Sequence, residues 1–267
     1  MSPEYGQLLQ SHASTRVSLR WLPEPPFENN ETLVLMVGQW YVDLRVNKET
    51  GALDWAIAGQ CLLKDNNPRR IVFTHTIDSH GNFNVSDPCP FIPLPDECDL
   101  ETGAMSRPDV PGNPVTEYEE VWRYLSKDEI GMDQVEKPIA WILESDDNDP
   151  AHDSHQGTKT FLARIEGRYL ALQQMCIHSK DQSGDQDKII CEVSAKSEEF
   201  ADGHWRVKHT LGLGNVGLPS ICNDFEDHDQ HSWEVPGEIV TVGWRRYIVR
   251  AFETTEKLSK PTQLAKF

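Results

Sequence analysis

The sequence predicts a mainly β protein, built as two tandem antiparallel barrels with few short helices. Three observations predict it. Segments rich in β-branched and aromatic residues alternate with period two, glycine-centred turns join them into hairpins, and the order of the pieces repeats at about half the chain length.

The first half opens with RVSLRWL at 16–22, ETLVLMVGQWYVDLRV at 31–46, ALDWAIAGQCLL at 52–63 and RRIVFTHTID at 69–78. Gly38-Gln39 sits where a tight turn lets VLMV pair with WYVDLRV, and Lys48-Glu49-Thr50-Gly51 makes the next turn, so the segments form a meander. The prolines between 85 and 114 argue against central strands and predict an ordered loop or edge crossing. EYEEVWRYL at 117–125 follows as one short helix or strand.

After the polar connector SKDEIGMDQVEKP the pattern restarts with IAWILES at 139–145, TFLARIEGRYLALQQM at 160–175, DKIICEVSAK at 187–196 and GHWRVKHTLGL at 203–213. LMVGQWYVDLRV matches ARIEGRYLALQQM as strand, glycine turn, aromatic, strand, and VFTHTI matches RVKHTL. This places an N-terminal barrel domain at 1–135 and a C-terminal one at 136–267, ended by the hairpin GEIVTVGWRRYIVRAFE around Gly243 and a loose tail. Barrel closure is expected because it removes exposed strand edges.

Composition narrows the function classes. With 25 Lys and Arg against 43 Asp and Glu, the formal charge of -18 repels phosphate backbones, so nucleic acid is not an expected partner. The start, MSPEYGQLLQSHAS, lacks a basic segment followed by an apolar run, and no stretch reaches membrane-spanning length. A cytoplasmic location, extending to the nucleus, is the expectation. The six cysteines include no C-x-x-C pair and are expected as free thiols, and the sequons at Asn30 and Asn84 then have no role.

Motifs add little chemistry. Gly212-Leu213-Gly214-Asn215-Val216-Gly217 spells G-x-G-x-x-G, but LPSICNDFEDHDQH follows without a helical stripe, so it reads as a turn between strands. Asp224, Glu226, Asp227, His228, Asp229 and His231 crowd metal donors without a recognised spacing, and His152 and His155 read as a solvated loop. Neither metal nor cofactor is expected. No G-x-S-x-G or cysteine-nucleophile signature is present. His75 and His209, at matching places in the two halves, are candidate polar residues facing two cavities. Glu101 and Thr102, in Asp99-Leu100-Glu101-Thr102-Gly103-Ala104-Met105, are candidate carboxylate and hydroxyl contacts for a ligand.

DWAIAGQ at 54–60, DLETGAM at 99–105 and EYEEVWR at 117–123, with QGTKTFLARIEGRYLAL and GEIVTVGWRRYIVRAF later, resemble the fungal HRI family, named for a yeast protein that interacts with a casein kinase I. The resemblance covers nearly the whole chain. It implies paired lipocalin-like (calycin-type) barrels, a cytoplasmic and nuclear location, homodimers and interaction with a protein kinase. It carries no catalytic role onto Trp55, Glu101 or Trp122. The acidic loops at 145–158 and 223–234 are longer than the family leads one to expect.

The preferred function is a non-catalytic barrel protein binding an apolar small molecule, a protein partner such as that kinase, or both, with Trp40, Trp55 and Trp122 as contacts. One alternative is a cofactor-independent isomerase, cyclase or pericyclase that orients its substrate in a cavity. Another is a scaffold whose acidic loops meet basic surfaces. The three diverge on whether either barrel is hollow, which depends on where side chains meet in space.

Overall fold

A computed structural model describes residues 11–66, 69–83, 88–131, 139–149, 157–180, 187–212, 217–225 and 233–254. Among the described residues no helix forms, so EYEEVWRYL takes the strand alternative, and no helix is long and apolar enough to cross a membrane. The first half holds β1 (His12–Trp21), β2 (Asn30–Val37), β3 (Trp40–Asn47), β4 (Leu53–Asn66), β5 (Arg69–Phe73), β6 (Ile77–Asp78), β7 (Cys89–Pro93), β8 (Cys98–Ser106) and β9 (Val115–Tyr124). The second holds β10 (Ile139–Ser145), β11 (Gly157–Ile165), β12 (Arg168–Lys180), β13 (Asp187–Ala201), β14 (His204–Leu211), β15 (Ile239–Val242) and β16 (Arg245–Thr254).

The first sheet closes on itself. Its order is β3-β2-β1-β9-β8-β7-β5-β4, and the β3–β4 pairing completes a ring of antiparallel staves, with β6 attached beside β4. Gly38, at φ 57°, opens the two-residue turn between β2 and β3, a backbone region that glycine enters without a Cβ clash. Two of those staves come from the proline-rich segment, which the sequence reads as an ordered loop or edge crossing and not as central strands. β7 pairs with both β5 and β8, and it carries Pro90 and Pro93 because it is brief: each ladder has only three register pairs.

The second sheet runs β14-β13-β12-β11-β10-β16-β15. It repeats the first half's order β5-β4-β3-β2-β1-β9-β8 strand for strand, with the β2–β3 hairpin matched by β11–β12 and β5 by β14. The closing stave, β7, has no counterpart among the described residues of the second half.

Alternation along each strand sorts the side chains into layers. On β3, Val42, Leu44 and Val46 face outward and are buried against Ala140, Ile142, Phe161, Ala163 and Leu172 of the second sheet. Each such aliphatic side chain contributes about 1.5–3 kcal/mol on full burial. Ala13, Ala56, Ala58, Ala140, Ala163, Ala195 and Ala251 recur in this layer, small residues that let two sheets stack closely. On β10, Ile139, Trp141 and Leu143 point the other way, into a second core with Tyr169, Leu218, Ile221, Trp233 and Tyr247. Phe225 stacks on Trp141 at 5.5 Å and Trp233 meets it edge-on at 5.4 Å, so the acidic loop 223–234 helps fill the second half with aromatic side chains.

The cysteine expectation is corrected. Cys176 and Cys191 stand directly opposite on β12 and β13, with Cα atoms 4.0 Å apart, and form a disulfide. Their separation of 15 residues resembles no motif, and only the hairpin register brings the two sulfurs together. Cys61, Cys89, Cys98 and Cys222 stand outside any disulfide. Thiol titration of the denatured, unreduced protein is therefore expected to find four reactive thiols, and six only after reduction. Six before reduction would remove the bridge.

Candidate functional site

The first barrel is hollow. A cavity of about 890 Å³ lies within it, bordered by residues from every stave of the ring. Three segments that carried the family resemblance supply much of its wall, because their alternate residues face inward. Tyr118, Glu120 and Trp122 come from EYEEVWR, Asp99, Glu101 and Gly103 from DLETGAM, and Trp55 and Ile57 from DWAIAGQ. Gly103 is small for a reason: a Cβ there would stand 2.8 Å from the Tyr118 ring.

Part of the buried wall is a charged network, beside the buried apolar groups Val34, Met36, Tyr41, Ile71 and Phe91. Arg45 donates through Nε and Nη2 to Asp43, at 3.1 and 2.9 Å, and through Nη1 to Glu120 at 3.0 Å. Arg16 donates to the same Glu120 oxygen and to both oxygens of Glu28. The Arg45 guanidinium also lies 4.8 Å from the Trp55 ring centre and 5.5 Å from that of Trp122, a pair of cation–π contacts. Burial pushes the Glu120 carboxyl up, but Arg45 and Arg16 more than offset this and hold it below its ordinary value. The same network leaves Asp43 above its ordinary value, since burial there outweighs Arg45.

Glu101 differs from its neighbours. Its carboxyl accepts from the Tyr118 hydroxyl at 2.8 Å and the Trp122 indole at 3.0 Å, both neutral donors. Burial, then the adjacent Glu120 charge, push it up to about 7, against the pull of those donors and of Arg45. Thr102 borders the cavity one position out of phase with Glu101.

His75 lies beyond the end of β5, where its Nδ1 meets the Asp78 carboxylate at 2.6 Å. Asp78 also accepts from the Trp55 indole at 3.0 Å, and although burial pushes this carboxyl up, those hydrogen bonds bring it below its ordinary value. His80 stacks on Trp55 at 4.9 Å. The mouth of the cavity carries exposed apolar groups, Phe27, Phe83 and Val115, with Leu19, Trp21 and Met105 packed behind them.

Two predicted residues lie elsewhere. Trp40 packs between the halves, 6.0 Å from the Phe161 ring and under the Arg250 guanidinium. His209 is 3.3 Å from Glu31 in a separate cleft of about 230 Å³ between the halves, so it does not mirror His75 in a second cavity. The reason is that His209 lies within β14, whereas its match His75 has left the sheet. Among the other motifs, Asp224 caps the Ser220 amide at 2.7 Å, while residues 226–232, His152, His155, Asn84 and 213–216 lie outside the described residues.

Sequence reasoning missed Arg16, Asp43, Arg45, Tyr118 and Glu120. The signal was present in β3, where Tyr41, Asp43 and Arg45 occupy one phase of the strand and Val42, Leu44 and Val46 the other. A strand buried on an apolar face with charges in the opposite phase lines a polar interior or meets solvent.

No curated protein matches the chain. Among solved structures, the crystal structure of an uncharacterized Saccharomyces cerevisiae protein, YLR301w, is similar, with a TM-score of 0.61 at 14% identity over 91% of this chain and 99% of that one. Such a likeness extends to the fold alone. The family model described as Protein HRI1 matches residues 12–243, which include every stave of the barrel and all but the last strand of the second sheet, and the chain therefore belongs to the HRI1 family.

Proposed function

We propose that this protein is a small-molecule-binding barrel, holding an amphipathic ligand with its polar end against the Arg45–Glu101 network and its apolar body against the apolar lining. The observation that carries this reading is the cavity of about 890 Å³ inside a closed ring of staves, a size at the upper end of typical ligand pockets. The division of its lining supports an amphipathic ligand over the purely apolar one suggested by barrel architecture. An apolar molecule against the charged network would desolvate buried charges without replacing their contacts with water.

The test is native mass spectrometry of protein purified from its own organism and of purified protein exposed to its metabolite extract, each compared with the denatured mass. A co-purifying or captured small molecule that is released on denaturation is the expected result. An apo mass in both samples would overturn the reading and favour an interaction scaffold.

A further inference from the structure

We propose that the barrel cavity takes an amphipathic organic cation, such as a protonated alkylamine, with the Glu101 carboxylate as its counter-ion. This deepens the binding reading above and rests on it.

Both guanidiniums are engaged by protein carboxylates, Arg16 by Glu28 and Glu120, and Arg45 by Asp43 and Glu120. An anionic ligand would have to compete with contacts already made. The acceptors are in surplus: among the described residues Glu28, Asp43 and Glu120 form ion pairs only with these two guanidiniums, and Glu101 forms none. Glu101 is 7% exposed and its hydrogen bonds come from neutral groups. Asp43, which lines the same cavity at 4% exposure, leaves Oδ1 buried without a hydrogen-bond partner. A buried acceptor of this kind is costly until a donor arrives. A ligand ammonium supplies both the donors and the missing positive charge, and the aromatic rings of Trp55, Tyr118 and Trp122 in the wall suit a cation and its apolar body. The overall charge of -18 raises the local concentration of cations around the protein.

The assignment also predicts a proton linkage. Around Glu101 stand Glu120 and Tyr118 of β9, Arg45 with Asp43 on β3, Arg16 on β1, the Cys61 thiol of β4 and the Cys89 thiol of β7. In the empty barrel Glu101 titrates near 7, and an ammonium ion binds its ionised form. Affinity for a cation therefore falls as pH drops below that value, by about tenfold per unit, and levels off above it.

The experiment compares n-octylamine, 1-octanol and octanoate by quenching of tryptophan fluorescence, with isothermal titration calorimetry as a second readout. Octylamine is expected to bind about tenfold or more tightly than octanol, with octanoate weakest. The preference is expected to vanish in Glu101→Gln, and the wild-type pH profile provides the same test without any substitution. Octanol or octanoate binding as tightly as octylamine, or octylamine binding that ignores pH between about 5.5 and 8, would overturn the charge assignment while leaving the binding reading standing. Failure of all three probes to bind, together with an apo mass from the extract, would remove both.

Discussion

Gly59→Ala is expected to destabilise the protein by about 3 kcal/mol or more, a large share of the stability of a typical domain. A Cβ at this position of β4 would stand 1.9 Å from the Thr74 carbonyl oxygen and 2.8 Å from its carbon. These are backbone atoms, and they are held in place from several sides. Thr74 N donates to the Gln60 carbonyl at 2.8 Å, Gln60 N donates to Thr74 Oγ1 at 2.8 Å, and the Tyr41 hydroxyl donates to the Thr74 carbonyl at 3.0 Å. Thr76 N then bonds the Ala58 carbonyl, so the chain leaving β5 lies along β4 before β6 pairs with it. An added methyl cannot be relieved by turning a side chain. It must push the backbone of β4 away from that of Thr74 and break those bonds. The control is Gly51→Ala, which meets nothing within 4 Å and only suffers its φ of 67°, for an expected cost of about 1 kcal/mol. Urea unfolding followed by fluorescence and circular dichroism checks both. A Gly59→Ala loss no larger than that of Gly51→Ala would refute the close-approach account.

Arg45→Met is expected to cost about 3–5 kcal/mol near neutral pH, because it strands Asp43 and Glu120 as buried charges with one guanidinium, Arg16, left between them. Methionine roughly preserves the packing volume between Trp55 and Trp122, which isolates the electrostatic share of the loss. The pH dependence gives a sharper check. Without Arg45, the folded-state pKa of Asp43, already above its ordinary value, rises further, and that of Glu120 rises from below its ordinary value to above it. The folded state then binds more protons than the unfolded state over that interval, so stability falls as pH rises through it and returns as pH is lowered. The gap between variant and wild type should accordingly narrow from about pH 7.5 to about pH 5. Arg45→Lys, which retains the charge and loses the two-pronged contact with Asp43, should fall between the two. A gap that stays constant with pH would mean that the loss arises from packing around the two indoles.

Much of the strand framework was legible. The turns at Gly38 and Gly243, the restart near residue 139 and the matching of the β2–β3 hairpin with β11–β12 all follow from local patterns, since a period of two and a residue able to take positive φ are properties of a few neighbouring positions. β7 was not legible. Prolines argue against a strand by their missing N–H, and only the neighbours on each side show that so short a stave has few bonds to lose. The candidate site was partly legible. Trp55, Glu101 and Trp122 were singled out and meet around one cavity, while Trp40 and His209 belong to the contact between the halves.

By itself the sequence determined the strand periodicity, the hairpins and the repeated order of elements, because each is written in residues close together along the chain. Tertiary structure alone decided that the first half is hollow, that Phe225 and Trp233 help fill the second, that Arg16, Arg45 and Glu120 share a buried network, and that Cys176 meets Cys191. The physical reason is closure. Alternation assigns residues to two faces, but which face becomes an interior is set only when β1 pairs with β9, about a hundred residues away, and when a second sheet covers the outside of β3.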